Sequence, residues 1–192
     1  MKKAERGKPG YLKSLKMKYL VTSLIEFAIV AAVFALGYFQ TGSRLNLLTV
    51  VAVLGCLPAS KNLVEFIVVA PHKGIAVPKY EEIEEKAPTI IKVYDLVVAG
   101  QAKLMQLDAV VISGSTVCGY ASSEKTDEVK LAEYLKKLFA ANGYDKITVK
   151  IFHDYKAFLA RAEGMNSIAV IDKPSISKRE RKLRSIIYNT SL

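Results

Sequence analysis

Two ionisable residues sit where chemistry or pairing would be most consequential. Glu26 and Lys61 each lie inside a long apolar stretch. A charge at membrane depth costs several kcal/mol and is usually paired or snorkels to the surface. Counted from the polar turn between the stretches, Glu26 lies about 15 residues back and Lys61 about 19 forward. At ~1.5 Å per residue their depths differ by ~6 Å, within reach of a lysine stem. An intramembrane Glu26–Lys61 ion pair is therefore one expectation. The alternative is that each side chain reaches the cytoplasmic interface alone. A transport or proton-relay role would need more than one such pair.

Other candidates are fewer and plainer. His153-Asp154 has the composition of an acid/base pair, but neighbours on a strand end point apart, so a surface or capping role is expected. With His72, the chain's two histidines are too few for a histidine-rich metal site. Cys56 and Cys118 make no disulfide framework. There is no phosphate-binding loop, dinucleotide fingerprint, nucleophile elbow or metal-ligand spacing, so no catalytic set, metal or cofactor is expected. The basic run Lys178, Arg179, Arg181, Lys182 and Arg184 has the charge to lie on an anionic membrane or to touch nucleic acid. A solvated terminal helix is the bland alternative.

The element that organises these residues is a pair of apolar stretches, residues 19–39 and 45–70, joined by Gln40-Thr41-Gly42-Ser43-Arg44. Roughly 20 apolar residues cross a bilayer, so residues 19–71 read as a transmembrane hairpin. Tyr19, Tyr38 and Phe39 suit the two interfaces. Ala28, Ala31, Ala32 and Ala35 would pack on the second span or on another copy of the chain. Gly55 to Asn62 should interrupt the second span, with a kink at Pro58 and a fresh helical start capped by Ser60.

Charge then sets the orientation. Of the net +10, residues 1–18 carry +6, the hairpin zero, residues 72–172 −1 and the tail from Lys173 +5. The positive-inside rule places residues 1–18, irregular as far as Tyr11, in the cytoplasm with the C-terminus. A nucleic-acid-binding domain would carry the charge on its body, which makes that partner the less expected one.

Beyond the hairpin, residues 79–172 read as an α/β (α+β) domain and residues 173–192 as a separate basic segment. Tyr80 to Lys86 forms an acidic helix ended by Pro88. An antiparallel β-meander follows: residues 90–98, for which a helix is the alternative, a turn at Ala99-Gly100-Gln101, residues 103–113, a Gly114-Ser115 turn and residues 116–121. An α-β-α-β-α order completes the chain. A helix capped by Thr126 turns Leu131, Ala132, Leu135, Leu138 and Phe139 to one face and stops at Asn142-Gly143; Ile147, Val149 and Ile151 alternate on a strand. A short helix spans 155–162, a buried strand 167–172 and a basic amphipathic helix 175–188. The sum is about five strands and three or four helices.

The meander, with Gln106-Leu107-Asp108-Ala109-Val110-Val111-Ile112, a glycine turn and a further strand, resembles the start of NERD-type, restriction-endonuclease-like domains. In that family an acidic residue opens one strand and a Glu-x-Lys set closes the next, holding a metal that activates water for phosphodiester cleavage. Asp108 takes the first position. Ala121 and Ser123 stand where the Glu and Lys would fall, and Glu124 and Lys125 follow as neighbours whose side chains would diverge on a strand. The resemblance thus implies topology without the active site. As a whole the chain resembles bacterial two-span membrane proteins with a small cytoplasmic α/β domain. The expected function is an inner-membrane anchor that presents an interaction or scaffolding domain to a protein partner. The alternatives are a membrane-bound, degenerate nuclease-like enzyme and an accessory subunit of a transport system.

Overall fold

The computed structural model describes residues 5–99, 104–172 and 176–191. The expected turn at Gly100-Gln101, the strand start at Lys103 and the helix start at Ser175 lie outside them. The chain divides into two compact units, Lys13–Pro71 and the combination of Met1–Leu12 with His72–Leu192.

The first unit is a pair of helices, each long and apolar enough to cross a membrane. Helix α1 spans Tyr11–Thr41 and α2 spans Leu47–Val69. The first starts eight residues before the expected span because Lys13, Lys16 and Lys18 are good helix formers with no breaker among them. Gly42, at φ +62°, ends it, and Asn46 caps the second by accepting the Thr49 amide at 2.8 Å. The expected break at 55–62 is not there, and Ser60 starts no new helix: α2 continues as one helix past Pro58. One proline withdraws one donor, and the neighbouring helical bonds carry the element past it.

Of the four alanines singled out from sequence, Ala35 is half-buried. Ala28, Ala31 and Ala32 are exposed. Other buried or half-buried positions recur along the helices, Ser23, Glu26, Val30, Val33 and Gly37 on α1 and Leu48, Ala52, Gly55, Ala59, Asn62, Phe66 and Val69 on α2. Both sets alternate steps of three and four, the spacing of a left-handed helix seam. A Cβ on Gly55 would come within 2.9 Å of Val30 Cγ2, so glycine there allows the close approach.

The second unit is a four-stranded sheet with helices on both faces. In order come α3 (Val77–Lys86), β1 (Ile91–Ala99), β2 (Leu104–Ser113), β3 (Thr116–Tyr120), α4 (Glu128–Ala141), β4 (Thr148–Phe152), α5 (Tyr155–Asp172) and α6 (Lys178–Thr190). Strand order is β1-β2-β3-β4; the first three are antiparallel and β4 runs parallel to β3 after the α4 crossover. Gly114, at φ +58°, makes the expected hairpin. One face holds α4 and α6 over Val110, Ile112, Val117 and Val149; the other holds α3 and α5 over Ala109, Val111, Cys118 and Tyr120.

Three expectations are corrected in this unit. The fifth strand, 167–172, is the second half of α5. Phe158, Leu159, Ala162, Met165 and Asn166 recur with helical spacing and are all buried, so the helix continues through Gly164. Asp127, not Thr126, caps α4, accepting the Val129 and Lys130 amides at 3.1 Å; those bonds hold its carboxyl below the usual range. The two ends of the chain are also part of this unit. Gly7 O accepts the Tyr94 amide at 2.9 Å, Arg6 donates to the Ser191 carbonyl, and Ser191 bridges to Val98. Helix α6 packs Leu183 and Ile187 fully into the core, so it is no separate segment.

Candidate functional site

Asp108 is the residue that the sequence offers for a nuclease-like site. Strand β2 carries Asp108 into the interior, where it is 2% exposed. One carboxylate oxygen accepts Gln106 Nε2 and the other accepts the Ser122 amide, both at 2.5 Å. The pairing of Ala109 with Tyr120 brings Ala121 level with Asp108, so a methyl group stands where a second carboxylate would be needed. Glu124 and Lys125 are exposed on the turn beyond β3. Among the described residues no group of three or more His, Cys, Asp and Glu side chains could hold a metal. Here Asp108 works as a hydrogen-bond acceptor that fixes the chain leaving β3.

His153 and Asp154 likewise serve separate elements. The His153 ring nitrogen Nδ1 meets the Ala121 carbonyl at 2.6 Å, and its backbone amide donates to Glu128. Asp154 accepts the Lys156 amide at 3.0 Å at the start of α5. Cys118 is buried, which pushes its thiol up and away from reactivity. On the α5 face, Lys79 Nζ donates to Tyr120 Oη at 2.6 Å and lies 4.8 Å from the ring centres of both Tyr120 and Tyr155. Tyr155 donates onward to Glu82 at 2.8 Å, which fastens α3 to α5.

The most unusual carboxylate went unnoticed in the sequence. Asp95, in the middle of β1, is fully buried with φ +55°, a left-handed backbone rare outside glycine. It accepts the Gly10 amide on one oxygen and the Ile75 amide on the other, each at 2.7 Å. Those partners are the chain segments that lead into α1 and out of α2. Burial raises the Asp95 carboxyl above its ordinary value, and the charge of Asp108 adds to the effect. The available signal was the one acid in a nine-residue strand that is apolar apart from Lys92 and Tyr94.

In the hairpin, Glu26 and Lys61 are not brought together. Asn62 donates Nδ2 to both Glu26 oxygens, at 2.9 and 2.8 Å, while Lys61 points outward and reaches Glu65 at 4.0 Å. The reason is helical phase. Asn62 falls on the seam between the helices, and Lys61, one residue earlier, is rotated by about 100° off it. Ser23 adds a hydroxyl bond to the Ala59 carbonyl at 3.2 Å on the same seam.

The basic residues of α6 divide. Lys178, Arg179 and Lys182 join Lys146 and Tyr144, from the loop after α4, around an open concavity of about 550 Å³. The Arg179 guanidinium lies 5.8 Å from the Tyr144 ring centre. Arg184 stacks elsewhere, on Tyr188, and Arg181 turns back toward the Ile176 carbonyl at 3.5 Å. All five side chains are exposed. Lys146 and Tyr144 escaped the sequence reading because only the packing of α6 on the sheet brings them beside residues more than thirty positions away. Compared with known proteins, the chain matches no family model, no curated protein and no solved structure.

Proposed function

We propose that this protein is a membrane-anchored interaction module. Its two apolar helices hold it in a bacterial-type inner membrane, with both termini in the cytoplasm, and its α/β unit engages a protein partner. One observation carries the reading: large aliphatic side chains stand uncovered at the places the two roles require. On the hairpin, Leu24, Ile29, Leu54 and Leu57 are 58–69% exposed, an arrangement that lipid stabilises and water does not. On the α/β unit, Ile168, Val170 and Ile171 stand out from the last turns of α5 at 57–82% exposure. An apolar patch on an otherwise polar surface marks a contact with another molecule.

The buried acids support a binding role over a catalytic one, since Asp95 and Asp108 are both engaged by backbone or amide donors. The second reading, a membrane-bound nuclease-like enzyme, draws on the meander with Asp108 on its middle strand.

Fractionation and a topology reporter test the first reading. The full chain should stay in the membrane pellet through salt and alkaline washing, and a reporter fused after Leu192 should remain in the cytoplasm. Ile171→Asp should abolish recovery of a stoichiometric partner without releasing the protein from the membrane. Release by salt or an exported reporter would overturn the anchor. Divalent-metal-dependent cleavage of nucleic acid, lost in Asp108→Ala, would replace the interaction role with the enzymatic one.

A further inference from the structure

We infer that the ledge formed by Tyr144, Lys146, Lys178, Arg179 and Lys182 binds the phosphate-bearing headgroups of anionic lipids, an assignment that rests on the membrane-anchored reading above. Helix α6 does not need these cations in order to fold. Its N-terminus is closed by a reciprocal capping box between Ser177 and Glu180, and Glu180 also accepts the Gly114 amide at 2.5 Å. Its inner face is supplied by Leu183 and Ile187. The cations nevertheless crowd its first turns, the end of the helix dipole at which positive charge is unfavourable. Among the described residues none of the four forms an ion pair, and Asp145 is the only acid lining the concavity. A phosphate seated there turns that repulsion into attraction.

The donor set fits the ligand. Arg179, held over Tyr144, offers a planar fork suited to two phosphate oxygens, and three lysines add point charges around it. Lipid is favoured over nucleic acid by where the charge lies. Residues 72–172 sum to −1, so the part of the domain between the hairpin and α6 offers a long polyanion no net attraction. A domain carried on two membrane helices also meets headgroups at a high effective concentration, whereas any soluble polyanion must be recruited from solution.

The test uses the full chain in nanodiscs of phosphatidylcholine alone or mixed equally with phosphatidylglycerol, with each lysine's acylation rate followed by mass spectrometry. Anionic discs should slow acylation of Lys146, Lys178 and Lys182 several-fold and leave Lys156, on α5 at the opposite face of the sheet, unchanged. High salt should remove the protection, and Arg179→Gln with Lys182→Gln should weaken it at Lys146 and Lys178. Equal rates in the two discs would overturn the assignment while leaving the anchor intact. Matching protection in neutral discs by inorganic phosphate would move the site to soluble phosphate compounds, and by an oligonucleotide to nucleic acid; either overturns the lipid. A chain that fails to enter discs at all overturns the anchored reading and the ledge with it.

Discussion

The two units dispose of the same side chains in opposite ways. In the α/β unit Leu96, Leu107, Leu131 and Leu135 are completely buried, while in the helix pair Leu24, Leu36, Leu54 and Leu57 are 58–69% exposed. Polar groups follow the reverse logic. The sheet takes two aspartates inside and satisfies them with backbone and amide donors, whereas the helix pair keeps its one bidentate polar contact, Glu26 with Asn62, on the seam. Stability in the α/β unit therefore comes from excluding water from a core. In the helix pair it comes from a narrow line of small and polar residues, with the outer surface left to the surrounding solvent.

The largest effect should separate the units directly. Phe139 is fully buried among the α4 and α6 side chains, and Phe139→Ala should cost about 3–5 kcal/mol. Leu57→Ala, at a position 69% exposed, should stay within about 0.5 kcal/mol. Urea unfolding of the full chain in detergent, followed by circular dichroism, measures both. Comparable losses would mean that the outer face of α2 is covered after all.

A second test sharpens the polar half of the contrast. Asp95→Ala leaves the buried Ile75 amide without an acceptor, at ~1–3 kcal/mol, and puts alanine into a left-handed backbone at ~1–2 kcal/mol. Gly10, at the surface, recovers water. A net loss of about 2–4 kcal/mol is expected. Its pH dependence has a defined sign. The Asp95 carboxyl is raised in the folded chain, so the fold holds that proton more tightly than the unfolded chain does. The resulting stability is complete below the unfolded value of about 4 and is lost as pH rises through the raised folded value. The difference between the natural chain and Asp95→Ala should therefore narrow as pH climbs from 4 toward neutrality. A gap that widens over that interval would show that the paired amides outweigh burial.

How much of this was legible depends on the range of the interactions involved. Leu131, Leu135 and Phe139 declare a helix by spacing, Gly143 stops it at φ +84°, and Val149 and Ile151 declare a strand by alternation. Ser-Ile-Ala-Val-Ile-Asp at 167–172 has no period of its own, and only the stripe from Phe158 through Met165 shows that it continues a helix. Strand β1 hides a change of phase: Val93 and Leu96, three residues apart, share one face because Asp95 adopts a left-handed turn between them. The alanines of α1 suggested a contact face, yet the seam runs through Ser23, Val30 and Gly37, chosen by what α2 presents. The anion ledge joins Lys146 to Lys178 through packing of α6, which leaves no trace in local sequence.

The smallest effect tests the seam of the hairpin. Hydrogen bonds between helices in a bilayer are worth on average ~0.6 kcal/mol, because the separated helices find other partners. A double-mutant cycle with Glu26→Gln and Asn62→Leu, read by denaturant titration in lipid-like micelles, should return a coupling energy of about that size. The parallel cycle of Glu26→Gln with Lys61→Met should return none within error, since Lys61 is turned away from the seam toward Glu65. Equal coupling in both cycles would restore the Glu26–Lys61 pair and require the helices to be rotated by the ~100° that separates adjacent residues. Coupling confined to Asn62 would mean that a neutral amide, placed by a seam that steps in threes and fours, is what holds the carboxylate between the helices.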